Sequence, residues 1–254
     1  MEPDLPHHSP NRRATLAAIA LALTGALGLG AWLRNRPAPL TLLPDRLGFL
    51  RESSGSLTST LDPFAGLTLT DDPLLPTEDI LRKVEAAPCP VAFGRHHALS
   101  KPIAVFTDYY CPICRRFEAD LEPFLAGRSD LPPVHWLELP LLGEASVAAA
   151  RIALAAKRQN AYPDMRGVLM RTRPALSRPQ VTSLAERLSL DPVQLWADAT
   201  GTGVTEELQA VRALAHLLGI PGTPSIVLGG TVVIGALNGA QLDDLARRTP
   251  PPPC

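Results

Sequence analysis

The feature that most constrains this chain is a pair of cysteines two residues apart, Cys111-Pro112-Ile113-Cys114, just downstream of a compact apolar run at residues 103–107. A short unbroken apolar run has the pattern of a strand buried on both faces. Proline is tolerated at the first position of a helix, where the backbone N–H has no intrahelical partner. Pro112 therefore predicts a helix that starts right after Cys111 and runs through about residue 124. The first sulfur then sits at the unpaired N–H groups of the first turn, and the second lies one turn in, within reach of the first. A thiol placed there ionises more readily than a free cysteine, and such a pair suits thiol–disulfide exchange. On this reading Cys111 is partly exposed and attacks, while Cys114 is shielded and resolves.

Only two further cysteines occur, Cys89 and Cys254, too few for a disulfide scaffold in 254 residues. Other readings of the pair are weaker. Half a zinc site completed by His96 or His97 lacks a second ligand pair at the usual spacing. An inert short-loop disulfide would be strained. No metal and no organic cofactor is expected. For Cys89 and Cys254 two readings stay open. One is a structural disulfide, with prolines 250–253 as a stiff arm; the other is a buried, inert Cys89 and a frayed tail. His135 and His216 read as structural or surface residues.

Along the chain, residues 1–13 form a polar head, and an uncharged run at 14–33 follows Arg12-Arg13 and precedes Arg34 and Arg36. Its length matches the ~20 residues of a membrane-spanning helix, and Trp32 suits an interfacial anchor. It reads as a transmembrane anchor or as an export signal with small residues near Gly28, Gly30 and Ala31. The stretch from Asn11 to Leu16 resembles a twin-arginine signal, with Thr15 departing from it. Residues 34–76 are rich in Pro, Ser, Thr, Gly and Asp and read as a linker or loose extension, in which Leu47, Phe49, Leu50, Phe64 and Leu67 could pack on the main domain. A formal net charge of −1 and the lack of a basic stripe exclude broad attraction to nucleic acid.

From Thr77 the pattern tightens. Helix 1 begins at Thr77-Glu78-Asp79. Strands are predicted at 90–93, 103–107 and 134–139. Helical spacing follows at 145–157, at Val181, Leu184, Ala185 and Leu188, after Asp191-Pro192-Val193-Gln194, which reads as a capping box, and along Val204, Leu208, Val211, Ala215 and Leu218. A Gly229-Gly230 turn joins strands 225–228 and 231–234, and Asn238 with Gln241 opens a last helix. This order gives an α/β mixed sheet with helices on its faces.

The stretch from Val105 to Phe117 resembles the active-site segment of DsbA-like thiol–disulfide oxidoreductases. Leu218-Gly219-Ile220-Pro221-Gly222-Thr223-Pro224-Ser225 resembles that family's cis-proline loop, and Leu142-Gly143-Glu144-Ala145-Ser146 the start of its helical insertion. The resemblance implies a thioredoxin-like fold at 77–249 with inserted helices at about 144–202, ending in a proline-rich tail at 250–254. It also implies that Thr223 and Pro224, cis and facing Cys111, bind an extended substrate together with Pro112 and Ile113. Two positions depart from the family: Val105 stands where an acidic residue is frequent, and Ile113 where the strongest oxidants carry histidine. What the resemblance implies is a bacterial enzyme on the periplasmic side of the inner membrane, anchored or exported. Its partners would be exported polypeptides with thiols or disulfides, and a membrane redox protein to reoxidise it. Reductase or isomerase work, or a thioredoxin-like binding module without turnover, are the alternatives.

Overall fold

The computed structural model describes residues 25, 41–42, 48–53, 57–59, 72–126, 128, 131–172 and 176–253. The chain divides into two units, Met1–Pro37 and Ala38–Cys254. In the first only Gly25 is described, and it is helical. The run at 14–33 otherwise lies outside the described residues, as do Leu47, Phe64 and Leu67. Among the described residues no helix is long and apolar enough to cross a membrane.

The second unit opens with three short strands, β1 (Thr41–Leu42), β2 (Leu50–Ser53) and β3 (Thr58–Ser59). Helices α1 (Glu78–Ala86) and α2 (Pro88–Phe93) precede β4 (Ile103–Thr107), α3 (Pro112–Ala126) and β5 (His135–Glu138). Four helices follow: α4 (Glu144–Arg158), α5 (Tyr162–Thr172), α6 (Arg178–Arg187) and α7 (Pro192–Thr200). The chain then forms α8 (Thr202–Leu217), β6 (Gly222–Thr223), β7 (Ser225–Leu228), β8 (Thr231–Ile234) and α9 (Gly239–Arg248).

The main sheet has the order β1-β2-β8-β7-β4-β5. Strands β4 and β5 are parallel, as are β2 and β8; the other neighbours are antiparallel. Parallel neighbours need a crossover, and α3 supplies it between β4 and β5. Side chains alternate across a strand, so each central strand feeds two cores. Ile103, Val105, Ile226, Leu228 and Val233 face α3 and α9, meeting Phe117, Leu121, Leu242 and Leu245. Ala104, Phe106, Val227, Val232 and Ile234 face α1, α2 and α8, meeting Val84, Phe93, Val211 and Leu214. Helices α4 to α7 build a separate core around Ile152, Met165, Leu169, Leu184 and Leu195, which Tyr109 joins.

Local signals end most elements where the residues predict. Thr77 caps α1, and Asn238 with Gln241 forms a capping box on α9. Asp191 accepts from Val193 N and Gln194 N, but its own N–H donates to Gln159 Oε1 rather than to Gln194. The reciprocal half of that box is thus replaced by a bond to the end of α4.

Two expectations are corrected. Residues 90–93 are helical: Pro88 starts α2, and a four-residue apolar run carries no period that separates strand from helix. The stretch read as a linker contributes β1, β2 and β3, and Phe49 within it is fully buried. Cys89, on α2, is disulfide-bonded, whereas Cys111 and Cys114 carry free thiols. Cys254 lies outside the described residues. The prolines before it cross the β7–β8 turn, where Gly230 N donates to Pro250 O at 2.8 Å. A side chain at Gly230 would strike Pro251 O, 2.5 Å from its Cβ, so glycine admits the tail.

Candidate active site

Strand β4 delivers the chain to the C-terminal edge of the sheet, and α3 starts there. Asp108, fully buried, holds the connection. Its carboxylate accepts from Tyr110 N (2.7 Å), Leu141 N (2.7 Å), Leu142 N (3.2 Å) and Ser146 Oγ (2.8 Å). One carboxylate thus ties the turn before Cys111 to the loop that opens α4.

Cys111 Sγ accepts from Cys114 N at 3.1 Å, as expected for a sulfur at a helix N-terminus. Cys111 Sγ also lies within hydrogen-bond distance of Thr58 Oγ1, at 3.3 Å, and of Thr223 O, at 3.5 Å. Its pKa falls to about 6. The largest cause is donation from the Cys114 thiol, opposed by burial and then supported by the Thr58 hydroxyl and by Cys114 N. The Cys114 pKa is raised, first by burial and then by the anionic neighbour. The two sulfurs therefore divide into a ready nucleophile and a protonated partner.

Expected partial exposure of Cys111 is not found: it is 0% exposed. Thr58, on β3, packs over it. The Thr223–Pro224 bond is cis, and the Thr223 carbonyl reaches Cys111, so two segments more than a hundred residues apart in sequence meet at one sulfur. Pro112 and Ile113 line a cleft of about 560 Å³ with Arg116, Phe117, Leu237 and Asn238. Arg115 donates to the carbonyls of Tyr109 (3.3 Å) and Leu169 (3.5 Å), which ties α3 to α5. His97 Nδ1 pairs with Gly94 O, and among the described residues no group of three or more His, Cys, Asp or Glu could hold a metal.

Residues 102–247, more than half of the chain and running from β4 into α9, match the DSBA-like thioredoxin domain. The chain belongs to that family. A thioredoxin-like oxidoreductase from Silicibacter pomeroyi DSS-3 is 32% identical, with a TM-score of 0.54, over 63% of this chain and 95% of that one. The catalytic domain of Proteus mirabilis ScsC is 25% identical, with a TM-score of 0.54, over 65% and 96% respectively. The thiol-disulfide exchange protein alpha-DsbA2 from Wolbachia pipientis shares the fold at 19% identity, with a TM-score of 0.55, over 66% and 95%. No curated protein sequence matches.

This DSBA-like domain carries a buried polar cluster behind the cysteines that sequence reasoning missed. Val105 is buried without a carboxylate, as its identity requires, but two acids lie nearby on other elements. Glu118, one turn past Cys114 on α3, accepts from Thr107 Oγ1 (2.9 Å), and Arg166 Nη2 lies 2.5 Å from its other oxygen. Burial raises the Glu118 pKa despite that arginine. Arg166 also stacks its guanidinium 3.4 Å from the Trp136 ring centre. Glu138, on β5, accepts from Tyr109 Oη and Tyr162 Oη, both at 2.6 Å, while its Oε2 is buried without a hydrogen-bond partner among the described residues. Burial pushes its pKa up to about 7. No local spacing announces such a cluster, because its members come from α3, β4, β5 and α5.

Glu138 makes a pH prediction. Its folded pKa exceeds the unfolded value, so the folded state holds the extra proton between them, and stability is lost as pH rises from about 4.5 through 7. Glu138→Gln keeps an acceptor for both tyrosines and removes the titration. The stability difference between wild type and Glu138→Gln, from urea melts at each pH, should shift against wild type by about 3 kcal/mol across that window. A difference independent of pH would show that Glu138 titrates normally.

Proposed function

We propose that this protein transfers its disulfide to exported polypeptides through Cys111 and Cys114, from the periplasmic side of the inner membrane. It is a protein disulfide oxidoreductase of the DSBA-like family. The observation that carries the reading is the asymmetry of the pair: Cys111 is held near a pKa of about 6 at a helix N-terminus, and Cys114 is buried and protonated behind it. In the disulfide form, a client thiolate attacks Cys111 Sγ. The client–Cys111 bond forms as the Cys111–Cys114 bond breaks, and Cys114 leaves as thiolate and takes a proton. A second client thiolate then attacks the client sulfur and releases Cys111 as a thiolate. The client gains a disulfide and the enzyme is left as a dithiol, to be reoxidised by a membrane redox protein.

Thr223 and cis-Pro224 form the wall against which the client strand lies, with Pro112 and Ile113 in the adjoining cleft. The family domain at 77–249, with its helical insertion at about 144–202, is extended by β1 to β3 from the preceding stretch. Residues 14–33 anchor or export it, as their length and lack of charge suggest. Cys89 pairs with Cys254, the one cysteine not accounted for by the free thiols, and the tail that precedes Cys254 already runs over the sheet to Gly48.

A thiolate of this pKa stabilises the reduced enzyme less than in the strongest oxidants. The reduction potential should therefore fall between ~−270 mV, typical of a reductant, and ~−120 mV, typical of a strong oxidant. Equilibration with glutathione measures it, and oxidative refolding of a reduced client with Cys111→Ser as control tests turnover. A potential at or below the reductant limit would favour reductase work. Equal refolding by wild type and Cys111→Ser would leave a binding module.

A further inference from the structure

Strand β3 lies where an extended client would have to lie. Thr58 pairs antiparallel with Thr223, and Ser59 with Gly222, the two residues that lead into cis-Pro224. Thr58 Oγ1 is 3.3 Å from Cys111 Sγ. Leu57 packs on the core that contains Phe49 and Phe93 and so anchors the strand. Gly222 is shaped to receive it: a Cβ there would fall 2.3 Å from Thr58 O and 2.5 Å from a Leu57 methyl. Backbone pairing, an apolar anchor and a hydroxyl on the sulfur together reproduce what a bound peptide strand supplies. The hydroxyl cannot form a disulfide, so the segment occupies the site without reacting.

We propose that the segment at residues 57–59, which contains β3, is a built-in pseudosubstrate, which covers Cys111 until an extended client segment replaces it with a cysteine in the place of Thr58. The inference rests on Cys111 being the exchanging sulfur and adds the register of the client. Its cysteine lies opposite Thr223, with a small residue or none crowding Gly222. A polypeptide that can pair with Gly222 and Thr223 displaces the strand and gains access; a small thiol, which cannot pair, meets a covered sulfur.

Two measurements on the full chain test this. In oxidised Thr58→Cys, the introduced thiolate attacks Cys111 Sγ and forms a bond to it as the Cys111–Cys114 bond breaks, and Cys114 leaves as a thiolate that takes a proton from solvent, so no outside oxidant is needed. Alkylation followed by peptide mapping should find residue 58 bridged to Cys111 and Cys114 alkylated. In the reduced protein, Gly222→Ala evicts the strand by collision with Thr58 O, and iodoacetamide, too small to need strand pairing, reports only the cover. Cys111 should alkylate about tenfold faster than in wild type, the weight of one or two hydrogen bonds. If residue 58 alkylates freely while the Cys111–Cys114 disulfide persists, and Gly222→Ala leaves the alkylation rate unchanged, the pseudosubstrate is overturned. Client refolding by wild type in that case would still support the oxidoreductase, so the two readings fail separately.

Discussion

Cys111 should ionise with a midpoint near 6 in the reduced protein, followed by thiolate absorbance or by alkylation rate against pH. The two replacements of Cys114 should then differ. Cys114→Ser keeps a hydroxyl donor beside the Cys111 thiolate, whereas Cys114→Ala removes the largest single cause of its low pKa. The midpoint should therefore rise more in Cys114→Ala than in Cys114→Ser, and both should stay below the free-thiol value of ~8.5, because the Thr58 hydroxyl and the helix N–H of residue 114 still hold the thiolate. Exchange should fall on the order of a thousandfold or more in Cys111→Ser, since a hydroxyl offers no comparable nucleophile near neutral pH. Cys114→Ser should instead accumulate a mixed disulfide with client, visible as a protein adduct that dithiothreitol removes. Equal midpoints in the two Cys114 variants would show that the sulfur-to-sulfur bond is unimportant.

Arg166→Met should cost about 3–5 kcal/mol at neutral pH, the penalty for leaving one member of a buried ion pair alone. Arg166 and Glu118 are both nearly inaccessible, and the same arginine stacks on Trp136. Methionine fills much of the volume, so the loss isolates charge rather than a cavity. Adding Glu118→Gln should recover a large part of it, because the stranded carboxylate is then neutral and can still accept from Thr107. Urea midpoints of the wild type, both single variants and the double variant give the coupling. A loss below about 1 kcal/mol in Arg166→Met would mean that solvent reaches Glu118. The result bears on function because Glu118 lies one turn beyond Cys114, and the pair joins the helix that carries both cysteines to the inserted helices.

Much of the frame was legible in local residue order. The unbroken apolar run at 103–107 and the strands at 225–228 and 231–234 carry directly into two cores, because a strand sends successive side chains to opposite faces. Pro112, Thr77, Asn238 and the glycine pair at 229–230 mark ends that need no tertiary contact to act. The failures have equally local reasons. Residues 90–93 are too few to show a period. The short strands at 50–53 and 58–59 are made by partners far along the chain, since β2 pairs with β8 and β3 with β6, and β1 only adds to β2, so their own composition looks like linker.

By itself the sequence determined the two sulfurs, their spacing, the helix that begins between them and the proline that would face them, since these depend on neighbouring residues and one separated motif. Only the tertiary structure decided the environment of those sulfurs. Thr58 covers Cys111 from 53 positions away, and Thr223 reaches it from 112. Glu118, Glu138, Tyr109, Tyr162 and Arg166 become one buried cluster because four elements converge on it. Burial and long-range proximity set a pKa and the accessibility of a nucleophile, and neither is a property of residue order until the chain has closed on itself.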